Sequence, residues 1–188
     1  MEVIKWVQLM AVTVMAVMTS MQSCSAVDIQ GFADSGACSG SGYTFPGIAQ
    51  QVCTAMNVGS VLIRDLSSCQ TGRAYRGGGC TTAVLSGNGP TVWCFTGGSF
   101  TGAAWFNGCR RRRLQAADDH VDDKCSSSAE PNGVHYTPDI STGSWIVKTP
   151  DAGQMLADLM AVDDAEKVNW LKAHGAYHVA GSHHVTMV

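Results

Sequence analysis

Seven cysteines, Cys38, Cys53, Cys69, Cys80, Cys94, Cys109 and Cys125, recur at intervals of 15, 16, 11, 14, 15 and 16 residues. Each interval holds one or two short strands plus a turn, and a thiol at each junction suits a small, cross-linked, strand-rich domain made for an oxidising compartment. An odd number leaves room for three bridges and one unpaired thiol, and spacing alone does not decide the partners. The same spacing argues against a metal. The chain has no CxxC and no two cysteines closer than 11 residues, whereas a structural zinc site takes two ligands from one short knuckle. No metal and no cofactor is expected.

The N-terminus sets the compartment. After Met1 to Lys5, residues Trp6 to Met18 form an apolar run broken only by Gln8 and Thr13. Cys24-Ser25-Ala26 then offers small residues at the positions a signal peptidase reads, so cleavage is expected after Ala26, removing Cys24. The run is short for a bilayer span. A secreted, extracellular protein with no stable membrane insertion after cleavage is the expectation.

Composition divides the remaining chain near residue 110. From Val27 to Cys109 the only charges are Asp28, Asp34, Asp65, Arg64, Arg73 and Arg76, and 16 of the 21 glycines lie there. From Leu114 onward there are eleven acids against four lysines, and all six histidines. Arg110-Arg111-Arg112-Arg113 stands between. The expected organisation is a signal peptide over 1–26, a disulfide-rich β domain over 27–109, a basic then acidic linker over 110–128, and a C-terminal extension over 129–188 with a short strand and helices. The modest charge gives no support for nucleic-acid binding.

Strand signals dominate the first part. Ser60-Val61-Leu62-Ile63-Arg64 is one β-branched run. Thr81 to Leu85 and Thr91 to Phe95 flank Ser86-Gly87-Asn88-Gly89-Pro90, which predicts a hairpin. Gly77-Gly78-Gly79 marks a bend or bulge. Ile48, Ala49, Val52, Ala55 and Met56 recur at helical spacing and predict a short helix within Pro46–Met56. Further on, Trp145 to Lys148 reads as a strand. Asp151 opens a helix through Met155, Leu156, Leu159 and Met160, and a second helix after Asp163 runs through Val168 and Leu171 to Gly175. A unit of this size buries a modest core, so bridges worth a few kcal/mol each matter to it.

The succession Cys38…Phe45-Pro46…Gln51-Val52-Cys53, Gly59-Ser60-Val61-Leu62-Ile63…Leu66, Gly72-Arg73-Ala74-Tyr75…Gly79-Cys80 and Val92-Trp93-Cys94…Gly98 to Phe106 is similar to small secreted cysteine-rich proteins of fungi. A basic run and a PD-containing acidic tail often follow in that group, as Arg110 to Arg113 and Pro138-Asp139 do here. The likeness covers residues 30 to about 160 and brings no catalytic residues. More distantly, the Ser-Val-Leu-Ile strand, the segment Gly72 to Gly79 and Phe100-Thr101-Gly102 resemble one turn of the βγ-crystallin Greek key, without its calcium-binding signature. The expected fold is mainly β: a small, disulfide-stapled, Greek-key-like sandwich or barrel with a partly disordered, partly helical C-terminal tail.

Candidate chemistry is sparse. Arg110 to Arg113 suits secretory-pathway proteases that hold successive guanidinium groups in acidic subsites, and a composition boundary is where such a cut works. The same run also reads as a solvated linker or as a patch for phosphate or anionic polysaccharide. Asp118, Asp119, Asp122 and Asp123 lack the glycine and twelfth-position Glu of an EF-hand. His174, His178, His183 and His184 lack a ligand spacing, because Gly175 interrupts the helical pair. Gly98-Ser99-Phe100-Thr101-Gly102 is not a GxSxG elbow. A carboxylate pair for glycoside hydrolysis would have to come from residues such as Asp34 and Asp65. Tyr43, Tyr75, Trp93 and Trp105 either pack in the core or face a partner.

Two functions follow: a secreted non-enzymatic binding or effector-like protein for an extracellular protein or glycan, or a small secreted hydrolase or toxin-like protein acting on cell-wall glycans. Exposed aromatics along a groove with two carboxylates would favour the second. Mass spectrometry of the secreted protein is expected to show a chain beginning at Val27 and cut after Arg113. An intact 27–188 chain would remove the processing reading.

Overall fold

The computed structural model describes residues 27–33, 37–108, 124–182 and 184–188. The signal peptide expected over 1–26 with Cys24, Asp34, Cys109, the Arg110–Arg113 run, the four aspartates from 118 to 123 and His183 lie outside these residues.

The chain is mainly β and folds as a barrel-like sandwich of two curled sheets. Its strands are β1 (Val27–Phe32), β2 (Gly40–Ile48), β3 (Val52–Val58), β4 (Ser60–Arg64), β5 (Gln70–Arg76), β6 (Thr82–Asn88), β7 (Val92–Phe95), β8 (Phe100–Asn107), β9 (Ser127–Ala129), β10 (Gly133–Asp139), β11 (Gly143–Lys148), β12 (Tyr177–Val179) and β13 (Val185–Met187). Two helices, α1 (Ala152–Met160) and α2 (Asp164–Ala173), follow β11. The eight-stranded sheet runs β12-β11-β10-β2-β1-β4-β7-β13 and the five-stranded sheet β6-β5-β8-β3-β9.

Period-2 alternation explains the main core. Val27, Ile29, Phe45, Val61, Ile63 and Phe95 point from the large sheet at Met56, Val58, Ala74, Phe100, Ala103 and Trp105 of the small one. The eight-stranded sheet outreaches the five-stranded one, and the helices cover the overhang. Ala152, Leu156 and Leu159 of α1, with Leu171 of α2, close over Val134, Tyr136 and Val147 of β10 and β11. Both helices start where their sequence places them. Asp151 accepts a hydrogen bond from the Gln154 amide at 3.3 Å, and Gly175 at φ +80° ends α2.

The other face of the large sheet curls around a mixed interior. Phe32 and Leu62 pack there with Cys38 and Cys94. Beside them lies a polar network. The Arg64 Nη2 donates to Ser144 Oγ at 3.2 Å and its Nη1 to the Ala180 carbonyl at 3.1 Å. The Ser144 hydroxyl donates to Gln30 Oε1 at 3.2 Å and lies 2.7 Å from Thr137 Oγ1. His135 is fully buried, with its ring edge-on to Phe32 at 4.5 Å.

Residues 129–188, expected as an extension, are integral to the sheets. Gly133 to Thr137 pair with β2, inserting β10 beside it, and β13 lies parallel to β7. Val52 to Thr54 pair in parallel with Ser127 to Ala129, so the end of the segment expected as a linker over 110–128 supplies an edge strand.

Two local expectations are corrected. The stretch Pro46–Met56 holds no helix; β2 ends, the chain turns through Gln51 at φ +60°, and β3 begins. Apolar residues spaced for a helix there also fit a strand–turn–strand, in which Thr54, Met56 and Val58 share the buried face. Pro46 is accommodated because β10 pairs with β2 only up to Thr44, and a bulge next to β1 lets Asp28 Oδ1 accept from the Gly47 amide at 2.7 Å. The expected hairpin between 81–85 and 91–95 does not form either. β6 continues to Asn88 and belongs to the small sheet, whereas β7 belongs to the large one. The turn carries the chain between sheets and contains a cis Gly89–Pro90 bond. The Trp93 ring lies against Gly87, where a Cβ would collide with it, and its Nε1 donates to the Asn88 carbonyl at 3.0 Å.

Burial and the neighbouring Arg64 charge hold His135 at a pKa of about 3, with the Tyr43 backbone opposing weakly. The unfolded chain takes up this proton below about pH 6.5 and the native chain does not. Stability is therefore complete above that value and falls by about 1.4 kcal/mol per pH unit down toward the folded pKa. Urea melts at pH 7, 6, 5 and 4 are expected to show this slope, and His135→Gln is expected to lose most of it.

Candidate functional site

Disulfides hold the site. Cys38–Cys94 pins the loop before β2 to β7, and Cys53–Cys80 ties β3 to the turn after β5. Cys69 is disulfide-bonded as well, to none of the other described cysteines. Cys125 is a free, partly buried thiol.

A surface groove of about 580 Å³ runs between that turn and the start of α1. Its walls are Gly78 and Gly79 on one side and Pro150 to Gly153 on the other, with Tyr43, Asn57, Thr101 and Glu130 between them. A second hollow of about 460 Å³, floored by Val58, Gly59 and Phe100, shares Asn57 and Thr101 with it.

Local structure explains each wall. Gly77, Gly78 and Gly79 all have positive φ, a conformation that side chains resist. The Thr101 hydroxyl locks that turn by accepting from the Gly78 amide at 3.1 Å and donating to the Gly79 carbonyl at 2.9 Å. On the opposite wall, antiparallel pairing of Gly133 with Lys148 brings Glu130-Pro131 alongside Pro150-Asp151. Asp151 is at once groove residue and helix cap. Tyr43 sits where the two apolar cores meet.

Of the four aromatics singled out in the sequence, only Tyr43 lines the groove. Tyr75 and Trp105 are buried, the latter donating from Nε1 to the Ile48 carbonyl at 2.7 Å. Trp93 stacks nearly parallel on Phe95. Core packing accounts for these three, so the four form no aromatic row.

The carboxylates also differ from expectation. Asp65 is not at the groove; it follows Arg64 at the end of β4, one register step from Asp28 on β1. Burial and the Asp28 charge push its pKa up, and Arg64 pulls it back. The groove instead holds Glu130 and Asp151. In the sequence Asp151 reads as a helix opener and Glu130 carries no signal, because only the β10–β11 register unites them. The histidines are separately engaged. His174 Nδ1 meets the Trp170 carbonyl at 2.8 Å, and His178 Nε2 meets the Thr142 carbonyl at 3.0 Å.

Among the described residues, one cluster has metal-ligand proximity: the sulfurs of Cys53, Cys80 and Cys125, all within 4.8 Å of one another. Two of them are joined as a disulfide, so the donor set for a cation is a single thiol.

Residues 28–138 match a family model described as an N-terminal domain. No curated protein and no solved structure matches the chain. The matched stretch includes Tyr43, Asn57, Gly78, Thr101 and Glu130, whereas Pro150 to Gly153 lie beyond it.

The Cys38–Cys94 bridge spans 56 residues of sequence. Replacing both cysteines by alanine is expected to cost about 4 kcal/mol through the unfolded chain's regained freedom. The difference in denaturant midpoint from the parent protein measures it.

Proposed function

The chain belongs to the ARB_05566_N family, an N-terminal domain, and we propose that it is a secreted, non-enzymatic, disulfide-stapled binding protein whose groove takes an extracellular glycan. Secretion is supported by the bridges, which persist in oxidising compartments. Among the described residues no helix is long and apolar enough to cross a membrane. Cleavage after Arg113 by a secretory-pathway protease belongs to the same reading.

One observation carries the binding role: the makeup of the groove. Its lining contains a tyrosine, hydroxyl and amide side chains, exposed glycine backbone and two carboxylates, but no histidine, cysteine, lysine or arginine among the described residues. Such a surface offers a ring face for a sugar and hydrogen-bond partners for its hydroxyls. Among the described residues it pairs no hydroxyl or thiol nucleophile with a histidine or lysine base.

The alternative, a small hydrolase or toxin-like protein acting on cell-wall glycans, is favoured by one feature: Glu130 and Asp151 line the same groove. Titration with soluble neutral cell-wall oligosaccharides, followed by amide chemical shifts, separates the readings. Shifts at Asn57, Gly78, Gly79 and Thr101 are expected, with about tenfold weaker affinity in Tyr43→Ala, and no release of reducing ends. Absence of any shift in the groove overturns the glycan reading. Release of reducing ends that Glu130→Gln and Asp151→Asn abolish would establish the hydrolase.

A further inference from the structure

The Cys125 thiol lies within 4.8 Å of both sulfurs of the Cys53–Cys80 disulfide. A nucleophile and its electrophile are thus held together by the fold. Two elements fix this placement. The backbone just after Cys125 is anchored, because the Ser126 amide donates to the Gln51 carbonyl at 2.8 Å and β9 pairs with β3 from Val52 onward. Cys80 and Cys125 also rest on the same apolar floor of Tyr75, Ala104 and Phe106.

From this juxtaposition we propose that Cys125 exchanges with the Cys53–Cys80 bridge, forming Cys53–Cys125 and releasing Cys80. Cys125 Sγ gives up its proton to solvent and forms a bond to Cys53 Sγ. The Cys53–Cys80 bond breaks, its electron pair leaves on Cys80 Sγ, and that thiolate takes a proton. One thiol and one disulfide enter and one of each leaves, so no oxidant or reductant is consumed. Cys53 is the attacked sulfur because it lies on β3, the strand beside which β9 runs, and Cys125 stands two residues before β9. Cys80 is the leaving sulfur because it sits in the turn between β5 and β6, after Gly77-Gly78-Gly79, and can withdraw without breaking a strand ladder.

Burial raises the Cys125 pKa, against a smaller opposing effect of Arg73, whose guanidinium lies over the Phe106 ring. The thiolate is therefore scarce at neutral pH, and exchange is slow there and accelerates in alkali. At the groove, exchange removes the covalent tether of the Gly78–Gly79 wall, leaving it to the Thr101 hydrogen bonds. This last consequence rests on the binding role of the groove; the exchange itself does not.

The full chain, purified without reductant, is held at pH 7 and pH 9, quenched in acid and labelled with N-ethylmaleimide. It is then mapped by non-reducing peptide mass spectrometry. The expected result is label on Cys80 as well as Cys125, together with a Cys53–Cys125 peptide, growing about tenfold faster per pH unit while the thiol is mostly protonated. Label confined to Cys125 at both pH values, or a Cys80–Cys125 link, overturns the proposal. In Cys80→Ser, incubated with oxidised glutathione as the two-electron oxidant, the expected product is a Cys53–Cys125 bridge, and two persistent free thiols would overturn the proposal equally. These readouts are covalent, so a failure of glycan binding leaves them untouched.

Discussion

The curl of the large sheet depends on a buried arginine. Arg64 on β4 reaches across the concave interior to β11 and to the backbone after β12, although three strands separate β4 from β11 in the sheet. Among the described residues its guanidinium bonds to a hydroxyl and a carbonyl, not to a carboxylate. Burial lowers its proton affinity, and the Asp65 and Asp28 charges support it from a distance. Such a group costs desolvation and is weak evidence for net stability. Its value lies in selectivity. A shifted β11 would withdraw Ser144 and strand a buried charge, so one register is acceptable. Burial of Phe32, Leu62 and Ile146 supplies the driving force, and Arg64 decides the geometry in which they are buried.

Local pattern revealed elements whose signals are local. The run Ser60 to Arg64 is β4, and the acids Asp151 and Asp163 and the glycine Gly175 mark the helix ends. Three failures share one cause. Ser86 to Pro90 reports a change of direction, but turn residues do not say whether the chain returns to the same sheet. Ile48, Ala49, Val52 and Met56 satisfy a helix period only if the positive φ at Gln51 is unseen. Gly133 to Asp139 escapes detection because His135 and Thr137 look exposed in sequence, yet both are buried on the inner curl. Polar residues that face a polar interior defeat any reading that equates polarity with solvent. The groove was illegible for the same reason, since Glu130 and Asp151 are united by strand register and by nothing in their own neighbourhoods.

Staples and groove are parts of one device. Cys53 lies in the core-facing sheet and Cys80 at the rim, so their bond transmits the rigidity of β3 to a turn that three glycines would otherwise leave loose. Thr101 adds hydrogen bonds to the same turn. The opposite wall draws its rigidity from a helix cap and a hairpin register. A binding surface built this way gains from preorganisation, because little freedom remains to be lost when a partner arrives.

The seating of β13 has a kinetic consequence. The last strand pairs in parallel with β7, the Val188 amide donates to the Cys94 carbonyl at 3.0 Å, and the Thr96 amide donates to the Val188 carbonyl at 2.8 Å. Arg64 meanwhile waits for Ala180, 116 residues away. Contacts of such sequence separation are made late, after a large loop-closure cost has been met. A growing chain emerging from the ribosome therefore holds β7 as an open edge until residue 188 has been added. The large sheet is complete only once β13 has been made, and the interval before that is when this protein is most exposed to aberrant strand pairing with its neighbours.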